Sequence, residues 1–276
     1  MRCLAVIQFF LGFLSLPLLL GALPYLADLE AGAVQPTADA RTHKGIRLLA
    51  LPPLAEARFD VSIVPPRQGL DRIASALDLI YRQSPANARA IEALKARGSV
   101  ILIYFPNDLR NRTRLNDQTI ALFLPDFLKK GLQRASAERE FVVVINHFGV
   151  KWPAPELAAI IVHELVGHGG QHLRGDIEGA RVLDLECEAS LHEERAYQDL
   201  GVDKKSRSVI LFRRQMENRY CADFRAFMQL YMPNRMVLWD RLNPDVPALL
   251  KHFGQYRRSQ TAELPTPSSA PTLHSR

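Results

Sequence analysis

His163-Glu164-Leu165-Val166-Gly167-His168-Gly169-Gly170-Gln171-His172 places imidazoles around a glutamate directly after the apolar residues 157–162. Those six residues are apolar on every side, which predicts a helix buried at the centre of the fold. A buried helix does not gather imidazoles and a carboxylate without compensation, because an unpaired polar or charged group there costs several kcal/mol. A divalent metal relieves that cost, since neutral imidazole and carboxylate are its ordinary ligands. The stretch therefore predicts a zinc site with Glu164 as the neighbouring general base. Pro155 suits the first turn of the helix and Glu156 complements its positive end.

The spacing constrains how this can work. In the metalloprotease pattern His-Glu-x-x-His the histidines are four residues apart, about 40° around a helix, and face one ion. His163 and His168 are five apart, which on a regular α-helix is about 140°. A single-turn π-bulge absorbs the extra residue, and such bulges occur mostly at functional sites. Gly167 is where the backbone adjusts with least steric resistance.

His163-Glu164-Leu165-Val166-Gly167-His168 resembles the His-Glu-x-x-Gly-His signature of the dipeptidyl peptidase III family of zinc peptidases. In that family both histidines bind zinc, the glutamate activates water, and a glutamate in a later Glu-Cys-Arg-Ala helix is the third ligand. Glu186-Cys187-Glu188-Ala189 matches that second motif at three of four positions. The resemblance implies that His163, His168 and Glu186 hold Zn2+ and that Glu164 is the base. It covers only residues 163–168 and 186–189, and the family's long insertion between the motifs is absent. What it implies is a shared kind of metal site, of the glutamate-ligand (gluzincin-like) type, rather than dipeptidyl peptidase activity.

Alternatives stay open within these motifs. Glu188 competes with Glu186; on a helical wheel both border the apolar stripe Val182, Leu185, Ala189, Ala196 and Leu200, with Glu186 closer. His168 and His172 form a rival pair at i,i+4, but Gly169-Gly170 between them predicts the end of the helix. The acidic residues from Glu186 to Glu194 also fit a solvated helix face. For a donor to a developing oxyanion the candidates are His172, His192, Tyr197 and Tyr220, while His147 reads as structural.

Working outward, residues 100–105 and 141–145 are continuous β-favouring runs, 119–124 is a third, and 59–64 alternates as a strand does. Residues 70–82 and 85–96 read as helices. Helices are expected over 176–200, closed by Gly201, and over about 206–232, whose arginines read as a charged outer face rather than a nucleic-acid surface. The expectation is an α+β, zincin-like fold: a small mixed sheet, then the metal helix, then C-terminal helices. In such folds the edge strand of the sheet takes an extended substrate by backbone hydrogen bonds.

Residues 3–20 carry no charge and follow Arg2, with Asp28 and Glu30 beyond them. That pattern fits a signal peptide or a membrane anchor with an exported body. We therefore expect a leader over 1–23, a linker over 24–45, a catalytic domain over 46–257 and a disordered Pro/Ser/Thr-rich tail over 258–276. Thirty-five basic against 29 acidic residues give +6, a modest excess that fits contact with acidic surfaces and names no partner. Cys187 and Cys221 are the two cysteines beyond the leader, and an oxidising compartment permits their pairing. No repeat, phosphate-binding glycine loop or nucleophile elbow is present. The expected protein is an exported or membrane-anchored zinc metallopeptidase of the periplasm or envelope, acting on peptide or protein. The alternative is a non-catalytic envelope protein with a structural metal that binds a partner.

Overall fold

Lys44 and Gly45 have φ of 51° and 74°, the two left-handed residues that a two-residue hairpin turn of type I′ requires. They join β1 (Asp39–His43) to β2 (Ile46–Ala50), with His43 opposite Ile46. The computed structural model describes residues 39–53, 63–106, 120–127 and 139–262. β1 lies in the stretch expected as linker; its polar, mostly exposed side chains suit an edge strand and leave little apolar periodicity to read. The leader (1–23) and most of the expected strand at 59–64 lie outside the described residues. No helix among the described residues is long and apolar enough to cross a membrane.

From β2 the chain passes through α1 (Pro66–Gln83) and α2 (Pro85–Lys95) to β3 (Gly98–Phe105). β4 (Ala121–Pro125) and β5 (Arg139–Asn146) complete a sheet in the order β1-β2-β3-β5-β4. β2, β3 and β5 run parallel, and β1 and β4 are antiparallel at the two ends. Both faces of the central strands are buried, which is why they read as unbroken apolar runs. Ile46, Leu48, Val100, Leu102, Phe141, Val143 and Ile145 face the helices, while Leu49, Ile101, Ile103, Val142 and Val144 form a second layer on the opposite face.

The helix that carries His163 and His168 runs from Ala154 to Arg174 in three pieces: α3 (Ala154–Val162), a π-turn (His163–His168) and α4 (Gly169–Arg174). The expected stop at Gly169-Gly170 is not observed. A Cβ on Gly169 would lie 3.0 Å from Leu94 Cδ1, so this glycine serves close packing rather than termination. The helix ends at Gly175, φ 80°, whose N–H donates to the His172 carbonyl, and Arg139 Nη1 donates to the His172 and Leu173 carbonyls.

α5 (Val182–Asp199) begins six residues later than expected and is followed by Gly201 at φ 65°. The expected third helix is α6 (Arg207–Gln215), a second π-turn (Met216–Tyr220) and α7 (Ala222–Tyr231), bent at Cys221 where φ is −97° and ψ 12°. A 3₁₀ segment (Pro233–Trp239) leads to α8 (Val246–Ala262), which extends five residues into the expected tail. Two helix-side cores result. One lies between the sheet and α1, α3 and the far end of α5; the other joins Cys187 and Leu191 of α5 to Met216, Phe224, Met228, Trp239, Phe253 and Tyr256. Cys187 and Cys221 form a disulfide across the second core, with Cα atoms 4.8 Å apart. Asp184 of α5 accepts from Tyr256 Oη and from Arg181 and Arg257, tying α8 to the start of α5.

Candidate metal centre

The π-turn rotates His163 and His168 onto one side of their helix. Their rings are 5.0 Å apart between centroids and nearly perpendicular. Glu186, one turn into α5, completes the group: its Oε2 is 3.5 Å from His163 Nε2 and its Oε1 3.7 Å from His168 Nε2. One donor atom from each of the three residues lies within 4.8 Å of the other two, and all three residues are buried. Ligands of a tetrahedral ion with bonds near 2.05 Å lie about 3.3 Å apart; the two carboxylate–imidazole separations are close to that value and the 4.8 Å span of the set is wider, so the group could hold a metal ion after a small contraction.

The two helices meet at Gly167. A Cβ there would lie 2.6 Å from both Cα and Cβ of Ala189, closer than real Cβ atoms approach backbone. Gly167 therefore permits the close helix crossing that brings Glu186 over the imidazoles. This is a different reason from the backbone adjustment expected, since the turn's flanking residues keep ordinary right-handed angles.

Each histidine is aimed by a partner on its Nδ1. His163 Nδ1–H donates to Glu193 Oε2 at 2.8 Å, and Tyr197 Oη donates to Glu193 Oε1 at 3.0 Å. His168 Nδ1–H donates to Gln171 Oε1 at 2.8 Å, and the Gln171 amide donates to Leu185 O and Glu188 Oε2. With Nδ1 engaged in this way, Nε2 of each ring is the nitrogen that faces Glu186 and would bind a metal on losing any proton it carries. Glu193 and Gln171 were not among the expected residues. Their signal was periodicity: Glu193 is seven residues from Glu186 and Gln171 three from His168, each on the same helix face as that residue. Gln171→Ala is expected to weaken metal binding by about 10- to 100-fold without unfolding the chain. A competition titration against a chelating dye checks it.

Glu164 and Glu186 are buried, and among the described residues none of their carboxylate oxygens has a hydrogen-bond partner. Burial raises the pKa of Glu164 to about 8, with His163 opposing and Glu186 and Glu193 reinforcing the rise. The Phe123 backbone amide of β4 faces Glu164 and lowers it somewhat, but falls short of a hydrogen bond to either oxygen. Burial tends to lower His163, and the carboxylates of Glu186 and Glu193 outweigh it, so this imidazole holds a proton well above its usual range. His168 is lowered by burial despite Glu186.

The alternatives separate cleanly. Glu188 points away, bonded to Arg174 and Gln171, so Glu186 is the converging acid. His172 leaves the site, its Nε2 3.3 Å from Asp126 and its ring against Phe123 and Phe141. The acidic face is not solvated: Glu186, Glu193 and Glu194 are 1%, 2% and 0% exposed, and Glu194 pairs with Arg213. Arg213 is thereby committed to the core. Burial pushes His192 down to about 4, so it is neutral at pH 7. Tyr220 is buried, accepts the Gln215 amide at 2.8 Å, and is raised by burial and next by the charge of Glu186.

β4 closes one end of the sheet beside this centre. Asn146 N–H donates to Ile120 O and Asp126 N–H to Glu140 O, so the alternate residues Ala121 and Phe123 turn their backbone groups away from β5, to the side where no described strand pairs and where the Phe123 amide faces Glu164. Comparison with protein-family models, with curated proteins and with solved structures finds no match to this chain.

Proposed function

We propose that the protein is a zinc-dependent peptidase of zincin-like architecture, exported to the periplasm or cell envelope. The observation that carries this reading is the pair of buried carboxylates, Glu186 and Glu164, without hydrogen-bond partners among the described residues and set against two imidazoles aimed at the same point. Leaving those oxygens uncompensated costs several kcal/mol, and a cation held by His163, His168 and Glu186 removes the cost. Bound there, a divalent ion supplies Lewis acidity and an acidified water.

The chain's own groups do the rest. Glu164 follows the first ligand directly and accepts a proton from the attacking water as the water oxygen bonds to the carbonyl carbon. The C–N bond then breaks, and Glu164 returns the proton to the departing amine. Glu193 and Gln171 hold the imidazoles while charge moves. The outward backbone groups of Ala121 and Phe123 suit an extended peptide added to β4 as a further strand. The Cys187–Cys221 disulfide agrees with an oxidising compartment, and residues 3–20 with export and anchoring.

The decisive experiment combines metal analysis of the purified protein with mass-spectrometric detection of cleavage in a mixture of unstructured peptides, with and without a chelator. Zinc near one per chain and chelator-sensitive cleavage are expected. A chain that melts on chelation and cleaves nothing would be the non-catalytic envelope protein with a structural metal.

A further inference from the structure

The three most exposed large apolar side chains among the described residues are close neighbours in the chain: Leu230 at 71%, Tyr231 at 64% and Val237 at 75%. They share one corner. Leu230 and Tyr231 end α7, and the 3₁₀ segment Pro233–Trp239 folds back along it. Trp239 Nε1 donates to Met228 Sδ at 3.3 Å, and the Trp239 ring lies 5.7 Å from that of Phe224. The corner is also firmly held. The Tyr231 ring rests on Phe227, with centroids 4.9 Å apart, and Phe227 rests on Tyr256 of α8. Cys221, directly before α7, is bonded to Cys187 of α5. An apolar patch that a rigid corner presents to water marks a contact surface. We propose that this corner docks on a membrane: Leu230, Tyr231 and Val237 enter the interface of an anionic bilayer, and Arg235 pairs with a lipid phosphate.

Charge and size select a bilayer as the partner. From Phe224 to Trp239 the chain has two arginines and no acidic residue. Arg225 is engaged by Glu217 and by the Trp239 ring, which leaves Arg235 as the exposed cation of the corner. A second copy docked here across a two-fold axis would set Arg235 against itself, with no carboxylate in the segment to answer it. Three side chains also fall short of the surface that a stable protein partner covers, about 800 Å² on each side. A bilayer suits the corner on both counts. Tyrosine and leucine settle at the boundary between headgroups and acyl chains, and arginine meets the anionic headgroups. The same chain carries an apolar, uncharged run at residues 3–20, long enough to enter a bilayer. The 18 residues from Gly21 to Ala38 then reach at most about 60 Å before β1, which keeps the corner near any membrane that holds the run. The docking surface is a second contact beyond residues 3–20, and it is independent of what the His163, His168 and Glu186 group does.

The test uses the full chain, reconstituted into vesicles of mixed phosphatidylcholine and phosphatidylglycerol. Cys3→Ser leaves only the disulfide cysteines, and Val237→Cys then takes one environment-sensitive fluorophore. Val182→Cys on α5 and Ile210→Cys on α6, which are also exposed, are the controls. A nitroxide-bearing phospholipid is expected to quench the label at 237 about threefold more than either control. Vesicles of phosphatidylcholine alone, and separately Arg235→Glu, are expected to lower that quenching. Leu230→Asp with Tyr231→Asp, both at exposed positions where the fold tolerates change, should bring it down to the control level. Equal quenching at all three positions overturns the proposal. A label at 237 that is shielded from water without nitroxide quenching means that protein covers the corner, whether residues 3–20 or a second copy, and overturns it too.

Discussion

Glu164→Gln is expected to keep the metal and to lower kcat by about 10³-fold, because the amide matches the carboxylate in shape and cannot accept a proton. Glu164 is not one of the three converging donors, so zinc stoichiometry and affinity stay near wild type. Stability of the metal-free chain reads the same substitution independently. The pKa of Glu164 is raised on folding from 4.5 to about 8, so the native state binds the proton more tightly than the unfolded chain does. Stability therefore falls as pH rises through that window, as the carboxylate is forced to ionise in a buried site. Glu164→Gln removes this dependence. In urea melts of metal-free protein at pH 5.5 and 8.0, the midpoint of the variant should fall less with pH than that of wild type. A variant with undiminished turnover removes Glu164 from the mechanism, and equal pH slopes remove the electrostatic account of its burial.

Gly167→Ala is the second large effect, and here the cost is steric. The new methyl meets Ala189 Cα and Cβ at 2.6 Å, and one of those atoms is backbone, so a whole helix must retreat. Overpacking of this kind costs about 1–3 kcal/mol, and the retreat carries Glu186, one turn before Ala189, away from the imidazoles. Metal affinity is expected to fall about 100-fold, in line with the cost of a 1 Å misplacement at a reacting centre. Gly170→Ala is the control. It lies in the same helix, where the added methyl meets only Arg174 Nη1, at 3.5 Å, and it should be neutral or slightly stabilising. If both substitutions behave alike in urea melts and zinc titrations, the close crossing does not position the ligand.

The convergence of His163, His168 and Glu186 was legible because its logic is local. Five-residue spacing admits one ion only through a widened turn, and the structure has that turn at His163–His168. Glu186 was legible for the same reason, lying beside the apolar stripe of its own helix. The runs at 100–105 and 141–145 gave β3 and β5, which are buried on both faces. What escaped was whatever depended on a distant partner. Gly169 looks like a helix stop until Leu94 is seen against it, and the real stop needs Arg139 from β5. β1 shows no apolar rhythm because it is an exposed edge, held by a turn and by pairing with β2. Glu193 resembles one more surface acid until folding places it under His163. The bend at Cys221 divides a helix that periodicity alone would continue.

α5 is a party wall, with the sheet's core on one side and the disulfide-bonded helices on the other. Cutting the chain before α8 would spare His163, His168 and Glu186. It would also strip Tyr256 and Arg257 from Asp184, at the very end of the wall from which the acid hangs.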